Sequence, residues 1–572
     1  MMVKPNIFYL LTAWMLLVIS CTPDKGKKSV KDVFAANPNV MVFEPGNDAK
    51  VQQVIDSVFD IQGHPRNSEF TERRVAFLFT PGRYELDVKV GYYTQVLGLG
   101  SHPDDVTIVG SMKALAPPDF NGSVLINFWR GVENLSVIPV DSTNVWAVSQ
   151  AAPMRRVHIQ GDLQVHDMGP ASGGFLANSK VDGTIFFGPQ QQWFTRNSNW
   201  SEADGGIWNI MTVGVPGAKH NWPEGSYHTI DKTRKVREKP YLQLVDDELV
   251  VVLPAIHENS EGVRWTEEGQ IIGLDQFYIA YPDQDDSKSI NEALKAGKHL
   301  LMTPGVYWLE ENLHVSNPNT ILHGIGLPTL IPTNGTSAIE IADVDGITLS
   351  GIVVDAGLEK SERLVEFGPS ESSANHAENP SLITDLFVRV GGYHAGMVDH
   401  AVVINSSDVI LDHAWIWRAD HGEGVGWDVN RAKNGLIVNG DRVISYGLFN
   451  EHFQEYQTIW NGEDGDVYFY QNEMPYYVPD PEAWKHGDTY GYASYKVGDH
   501  VKSHRATGLG IYNVFFKSGA ISDNAIETPE AVEADIQRIV TIWLGGNEES
   551  EVRSVINGKG EGVNKDHRKT VY

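Results

Sequence analysis

Apolar residues in this chain come in short runs broken by Gly, Pro, Asn and Asp, the signature of many short strands. Two segments depart from it. VQQVIDSVF from Val51 and SINEALKAG from Ser289 space their apolar residues as one face of a helix. Each opens the same series. After the first come Phe77-Leu78-Phe79, Thr80-Pro81-Gly82-Arg83-Tyr84 and Val96-Leu97-Gly98-Leu99-Gly100. After the second come Leu300-Leu301-Met302, Thr303-Pro304-Gly305-Val306-Tyr307 and Leu322-His323-Gly324-Ile325-Gly326. Both copies continue into further runs, VENLSVIP from Val132 and VDGITLSGIVVD from Val344. A repeat of this kind predicts an all-β chain of stacked parallel β-helix rungs. One rung cannot bury its apolar face alone, whereas stacked rungs share a core. The leading helix of each copy would cap the open end of its coil. The GxG elements read as turns between rungs, because neither opens a long helix.

Length and composition agree. About 550 residues beyond a leader exceed one small core and require two domains or a long solenoid. The 55 Gly and 28 Pro supply turns, and 15 Trp, 21 Tyr and 21 Phe make the chain aromatic-rich. The formal charge of −29, from 45 basic and 74 acidic residues, argues against nucleic acid and polyanionic substrates. It suits a secreted protein acting on neutral material, and a monomer is expected.

The first residues read as an address. Lys4 precedes an apolar run, Ile7 to Ile19, too short to span a membrane. It ends in Val18-Ile19-Ser20-Cys21, which resembles a bacterial lipobox whose cysteine receives lipid. Cys21 is the single cysteine, so intramolecular disulfides are excluded. The expected division is a signal peptide over 1–20, a polar tether over 21–36, and β-helix domains over 37–265 and 266–572. Thr22, in place of an inner-membrane retention Asp, points to the outer membrane of a two-membrane envelope.

Candidate chemistry concentrates in LFNEHFQEYQTIWNGEDGDVYFYQNEMPY, from Leu448 to Tyr476. Glu451 and Glu473 stand there among aromatics and amides, the residue types that stack on sugar rings and bond sugar hydroxyls. A carboxyl group in a partly dry wall has a raised pKa, as a general acid requires. The alternative is a solvated structural rung. Gln190, Gln191 and Gln192 beside Trp193 form a second polar cluster, either lining a groove or making an exposed rung. WIWRADHGEG, from Trp415, brings Asp, His and Glu together without a known metal-site spacing; Trp417 and Asp420 facing a sugar is the simpler reading. No metal or other cofactor is expected.

These motifs carry a resemblance. NFWRGVENLSV at Asn127, WAVSQAAPMRRVHIQG at Trp146, QQQWFTRNS at Gln190, WIWRADHG at Trp415 and YQNEMPY at Tyr470 resemble glycoside hydrolase family 55, the exo-acting β-1,3-glucanases. The likeness is to a bacterial branch often labelled adenylyl cyclase. The family implies two tandem right-handed β-helices side by side, pectate-lyase-like, with the active site in the cleft between them and inversion at the anomeric carbon. It implies Glu473 as general acid and Glu451 as a second acidic residue. It further implies Trp417, Asp420 and Tyr476 at the first sugar subsite, with Gln190 and Gln192 holding the attacking water. Glu451 and Glu473 are 22 residues apart, about one coil, which would stack them on neighbouring rungs.

Other readings are a β-helix polysaccharide lyase, a glycosidase acting on another neutral glycan, and a glycan-binding surface lipoprotein without catalysis. A lyase neutralises a uronate with Ca²⁺ or basic residues, and the acidic chain lacks a basic cleft motif. A cyclase needs a metal-binding Asp pair and a phosphate cradle, and neither is found.

Overall fold

The structure is a computed structural model that describes residues 29–217, 227–266 and 269–572. The signal segment and Cys21 lie outside the described residues. Parallel strands stack into two successive β-helices. The first has a 12-stranded sheet running from Val40–Phe43 to Tyr227–Ile230, beside a smaller four-stranded one. The second has a 13-stranded sheet beginning at Phe277–Ala280 and an eight-stranded sheet beside it.

The repeat seen in the sequence is a structural repeat. Helix Asp48–Gln62 covers the start of the first coil and helix Ser287–Lys295 that of the second. The Tyr84 hydroxyl donates to the carbonyls of Phe43 and Thr80; that of Tyr307 donates to those of Ala280 and Thr303. The TPGxY motif therefore locks each first coil to its neighbour in the same way.

Two boundaries differ from expectation. Residues 29–36 are not tether: Ser29 caps the helix Val30–Val33, and Val30 and Phe34 are buried with Leu301 and Phe277. The span assigned to the first β-helix also ends early. Residues 233–260 form antiparallel ladders, Thr233–Arg237 with Ile256–Ser260 and Tyr241–Val245 with Glu248–Leu253, and reach the second helix through Lys235 and Lys239.

The long strands of the larger sheet of the second helix each contribute a left-handed residue to one aligned column: Gly351, Asp385, His413, Gly447, Phe469, Gly508 and Arg538. The left-handed residue and the one before it both face outward, which shifts the alternation by one. In Val409–Arg418, Val409, Leu411, Ala414 and Ile416 enter the helix core, while Ile410, Trp415 and Trp417 face the other helix. The first helix carries a matching column, Asn134, Arg156, Asn178 and Asn197.

The two outward faces meet in a seam. Its apolar part packs Tyr93, Trp129, Phe175 and Phe194 against Phe387, Trp415, Phe449 and Phe469. Its charged part is equally buried. Arg155 binds Asp385 at 2.8 Å and Asp412 at 2.7 Å; Arg196 binds Asp412 and Glu238, each at 2.6 Å. Lys239 closes the set at 2.9 Å from Asp385. These cations hold the carboxyl groups of Asp385 and Asp412 below their usual range despite burial.

Gly447 has φ of +66° and sits against Phe175, whose ring would lie 2.8 Å from an added Cβ. Gly447→Ala should therefore cost about 1–2 kcal/mol of backbone strain, plus the displacement of Phe175. A lowered urea midpoint checks this, and an unchanged midpoint would contradict it.

Candidate active site

The ends of three neighbouring strands in the second helix, Val409–Arg418, Ile444–Glu451 and Gly465–Glu473, point into a cavity of about 370 Å³ at the seam. The 22-residue offset is structural: Phe449 pairs with Gln471, and the His452 N–H donates to the Glu473 carbonyl at 2.8 Å. Glu451 and Glu473 thus end adjacent rungs on the same face. Corners of the first helix supply the opposite wall through Ile126, Phe128, Gln150, Ser172 and Gln191.

Glu451 is buried and accepts two N–H donors: Trp415 Nε1 on Oε2 at 2.8 Å and Gln150 Nε2 on Oε1 at 3.0 Å. Gln150 comes from the other helix, so this bond spans the seam. Its amide also reaches Ser172 Oγ at 3.3 Å, while its Oε1 is buried without a protein partner. Glu473 is partly open to the cavity, and the Tyr476 hydroxyl donates to its Oε2. Burial pushes both carboxyl groups above their usual range; the charge of Glu473 raises Glu451 further, and Asp420 raises Glu473. Two such groups on adjacent rungs resist double ionisation. The two N–H groups on Glu451 can only donate, which favours its ionised form. The Tyr476 hydroxyl favours ionised Glu473 in the same way, so the pair shares a proton between two raised carboxyl groups.

Asp420 follows the same strand face and accepts from His421 Nδ1 at 2.8 Å, while His421 Nε2 meets Glu69 at 2.7 Å. The two carboxylates, working against burial, push the imidazole up to about 10. Burial lowers His452 to about 4, and its ring lies 4.3 Å from that of Tyr476.

The structure brings Glu451, Glu473, Asp420 and Tyr476 together in the cavity lining. Trp417 lines it too but is only 2% exposed. Phe70 stacks on it at 6.3 Å and 7°, and Trp415 at 5.1 Å and 24°, so it presents an edge rather than a stacking face.

Three expected residues, Gln190, Gln192 and Trp193, lie outside the cavity lining. The Gln190 amide is consumed by backbone: Oε1 accepts from the Gly173 N–H at 3.1 Å, and Nε2 donates to the carbonyls of Val148 and Val165. Trp193 is fully buried in the first helix core, and its Nε1 donates to Thr195. Gln192 is buried, with an unpartnered Oε1, on the seam-facing side of its strand; Gln191 reaches the cavity in this cluster. Sequence reasoning missed Gln150, Ser172, Trp415 and His421. Gln150 lies in a motif already noted, but only the fold carries it across to Glu451.

Comparison with known proteins now fixes the family. Residues 277–473 match the LAM55 pectate lyase-like domain. An exo-β-1,3-glucanase of Streptomyces sp. (strain SirexAA-E / ActE) is 43% identical over 532 residues, 92% of this chain and 87% of that protein. The chain belongs to glycoside hydrolase family 55. The structure of sacteLam55A from Streptomyces sp. SirexAA-E superposes with a TM-score of 0.89 at 42% identity, covering 94% of this chain and 98% of that one. A glutamate-to-alanine variant of that protein in complex with glucose aligns equally well, with a TM-score of 0.89 at 42% identity over 94% of this chain and 97% of its own. The family assignment accounts for the tandem parallel β-helices and makes the chain a glycoside hydrolase.

The state of His421 can be tested. Its folded pKa lies above the ordinary 6.5, so its contribution to stability is fully present below about 6.5 and is lost as pH rises through about 10. Imidazole NMR should show His421 protonated at pH 8, with a lower titration midpoint in Asp420→Asn. A neutral ring at pH 8 would show that the two carboxylates do not hold it.

Proposed function

We propose that this protein hydrolyses β-1,3-glucan from a chain end, with inversion and with Glu473 as the general acid. The observation that carries the reading is the stacking of two desolvated carboxyl groups, Glu451 and Glu473, on adjacent coils in an aromatic-walled cavity. The exo-β-1,3-glucanase relative supports the substrate. In this reading Glu473 passes its proton to the glycosidic oxygen as the bond to the anomeric carbon breaks. A water on the opposite face supplies the new oxygen and releases a proton. Gln150 Oε1, a buried acceptor without a protein partner, and ionised Glu451 suit the holding of that water. Asp420 accepts hydroxyls of the terminal sugar.

Glu473→Gln keeps the shape of the side chain and removes the proton. Activity on β-1,3-glucan should fall by about 10²–10⁴-fold. An aryl β-glucoside, whose leaving group needs little protonation, should lose far less. Equal losses on both substrates would assign Glu473 to the fold instead. NMR of the native reaction should show the α-anomer of the released sugar first; β-anomer first would overturn inversion. The alkaline limb of kcat/KM should lie near the Glu473 value of about 7, because the acid is lost as pH rises through it.

We further propose that Cys21 carries lipid and anchors the enzyme to the bacterial envelope, at the outer membrane where there are two. Cys21→Ser should abolish metabolic labelling with palmitate and release the protein from membranes. Unchanged labelling would refute the anchor.

A further inference from the structure

A second cavity, of about 520 Å³, lies on the eight-stranded sheet of the second β-helix and is larger than the candidate active site. Its size falls within the roughly 300–1,000 Å³ of small-ligand sites. Its lining crosses five consecutive coils. Lys360, Asp399, Arg431, Glu455 and Tyr492 lie in or just before five neighbouring strands, which begin at Ser361, Val398, Ala432, Thr458 and Tyr495. Rungs are about 4.8 Å apart, so the groove runs along the helix axis for roughly 20 Å. A compact metabolite does not need that length; an extended chain does.

The lining chemistry narrows the ligand. Trp427 and Tyr492 are half-buried; His486 stacks on Tyr492 at 4.8 Å and Arg418 lies over Trp427, so each ring offers only its remaining surface. Between them stand a guanidinium, Arg431, two carboxylates, Asp399 and Glu455, and two lysines, Lys360 and Lys433; the Gln454 amide is already bonded to the Trp427 carbonyl and the Ala432 N–H. Asp399 is bonded by Lys360 at 2.7 Å and by Lys433 at 3.1 Å, so most of the charge is already paired within the groove. Aromatic edges, planar polar groups and nearly cancelled charge match the hydroxyls and ring faces of a neutral saccharide. They do not match a polyanion, and the acidic chain repels one.

The position links this groove to the cleft. Three corners serve both sites. The corner after Trp417 carries Asp420 towards the cleft and Arg431 towards the groove. The corner after Glu451 reaches Glu455, and the corner after Glu473 reaches Tyr492. Arg418 ties two of these corners, donating to the His452 carbonyl at 3.2 Å and lying 5.7 Å over the Trp427 ring. We propose that the groove is a second glycan-binding site, which holds a stretch of neutral glucan side-on beside the cleft. A chain end released after each cleavage then stays at high local concentration near the acid. The identity of the glucan rests on the function proposed above; the groove's preference for a neutral chain does not.

The test uses the whole protein with Glu473→Gln as background, run through native gels containing soluble β-1,3-glucan. This background should be retarded, and adding Tyr492→Ala should weaken the retardation about threefold to tenfold, the scale of one lost aromatic contact. Arg431→Ala with Glu455→Ala, two surface changes, provides a second variant independent of Tyr492 packing. In the active protein, the same changes should lower kcat/KM on the polymer by a similar factor and leave that on laminaribiose unchanged. Undiminished retardation in both variants, equal losses on polymer and disaccharide, or salt-sensitive binding of a polyanion instead would overturn the groove. Retardation by a different neutral glucan, abolished by the groove variants, in a protein inactive on β-1,3-glucan would uphold the groove and refute the proposed substrate.

Discussion

In a regular strand, Glu451 would face the same way as Gly447, Phe449 and the other odd-numbered residues, and Tyr446 the opposite way. In this protein Tyr446, Phe449 and Glu451 all face the seam, because Gly447 is left-handed and moves the alternation by one. Phe469 does the same for Glu473. Without these residues, seam residues before the column would keep their place while every residue after it turned into the apolar core. The carboxyl pair, Trp415 and Trp417 all lie after the column. The site therefore depends on a backbone conformation that L-residues adopt at a cost, here accepted even by Asp, His, Phe and Arg.

That conformation is held by the packing between the helices. Asp385 and His413 are themselves members of the column, and their side chains meet directly at 2.7 Å. Asp385 also takes Arg155 from the first helix. Buried charges of this kind give little net stability compared with an apolar seam, yet removing one partner is strongly destabilising. Their effect is to fix how one helix sits against the other. The bond from Gln150 to Glu451 needs that registration, since its two residues come from different helices.

Much of this was legible in the chain. The duplicated helix–strand–TPGxY order disclosed two solenoids, and the 22-residue interval placed Glu451 and Glu473 on adjacent rungs. The left-handed column was not legible, because only Gly marks such a position reliably and the column holds Gly at Gly351, Gly447 and Gly508 alone. This same blindness explains Gln190 and Trp193. A run of glutamines beside an aromatic looks like a groove, but which of three neighbours reaches the cavity depends on the path of the corner. Gln190 turned out to be the brace for that corner, and Gln191 the half-buried member that reaches the cavity. Gln150 was hidden for a different reason: its partner is 301 residues away.

The coils differ widely in length. Successive partners Phe387, Trp415, Phe449, Gln471 and Gly510 are separated by 28, 34, 22 and 39 residues. Across these pairs the strands keep one register, so the variation is taken up in the segments between them. Aim and reach are thus written in different parts of the chain. Insertions, deletions or exchanges between relatives at a corner can reshape what the enzyme grips while the acid keeps its direction. A lineage can in this way change its diet without having to rediscover its chemistry.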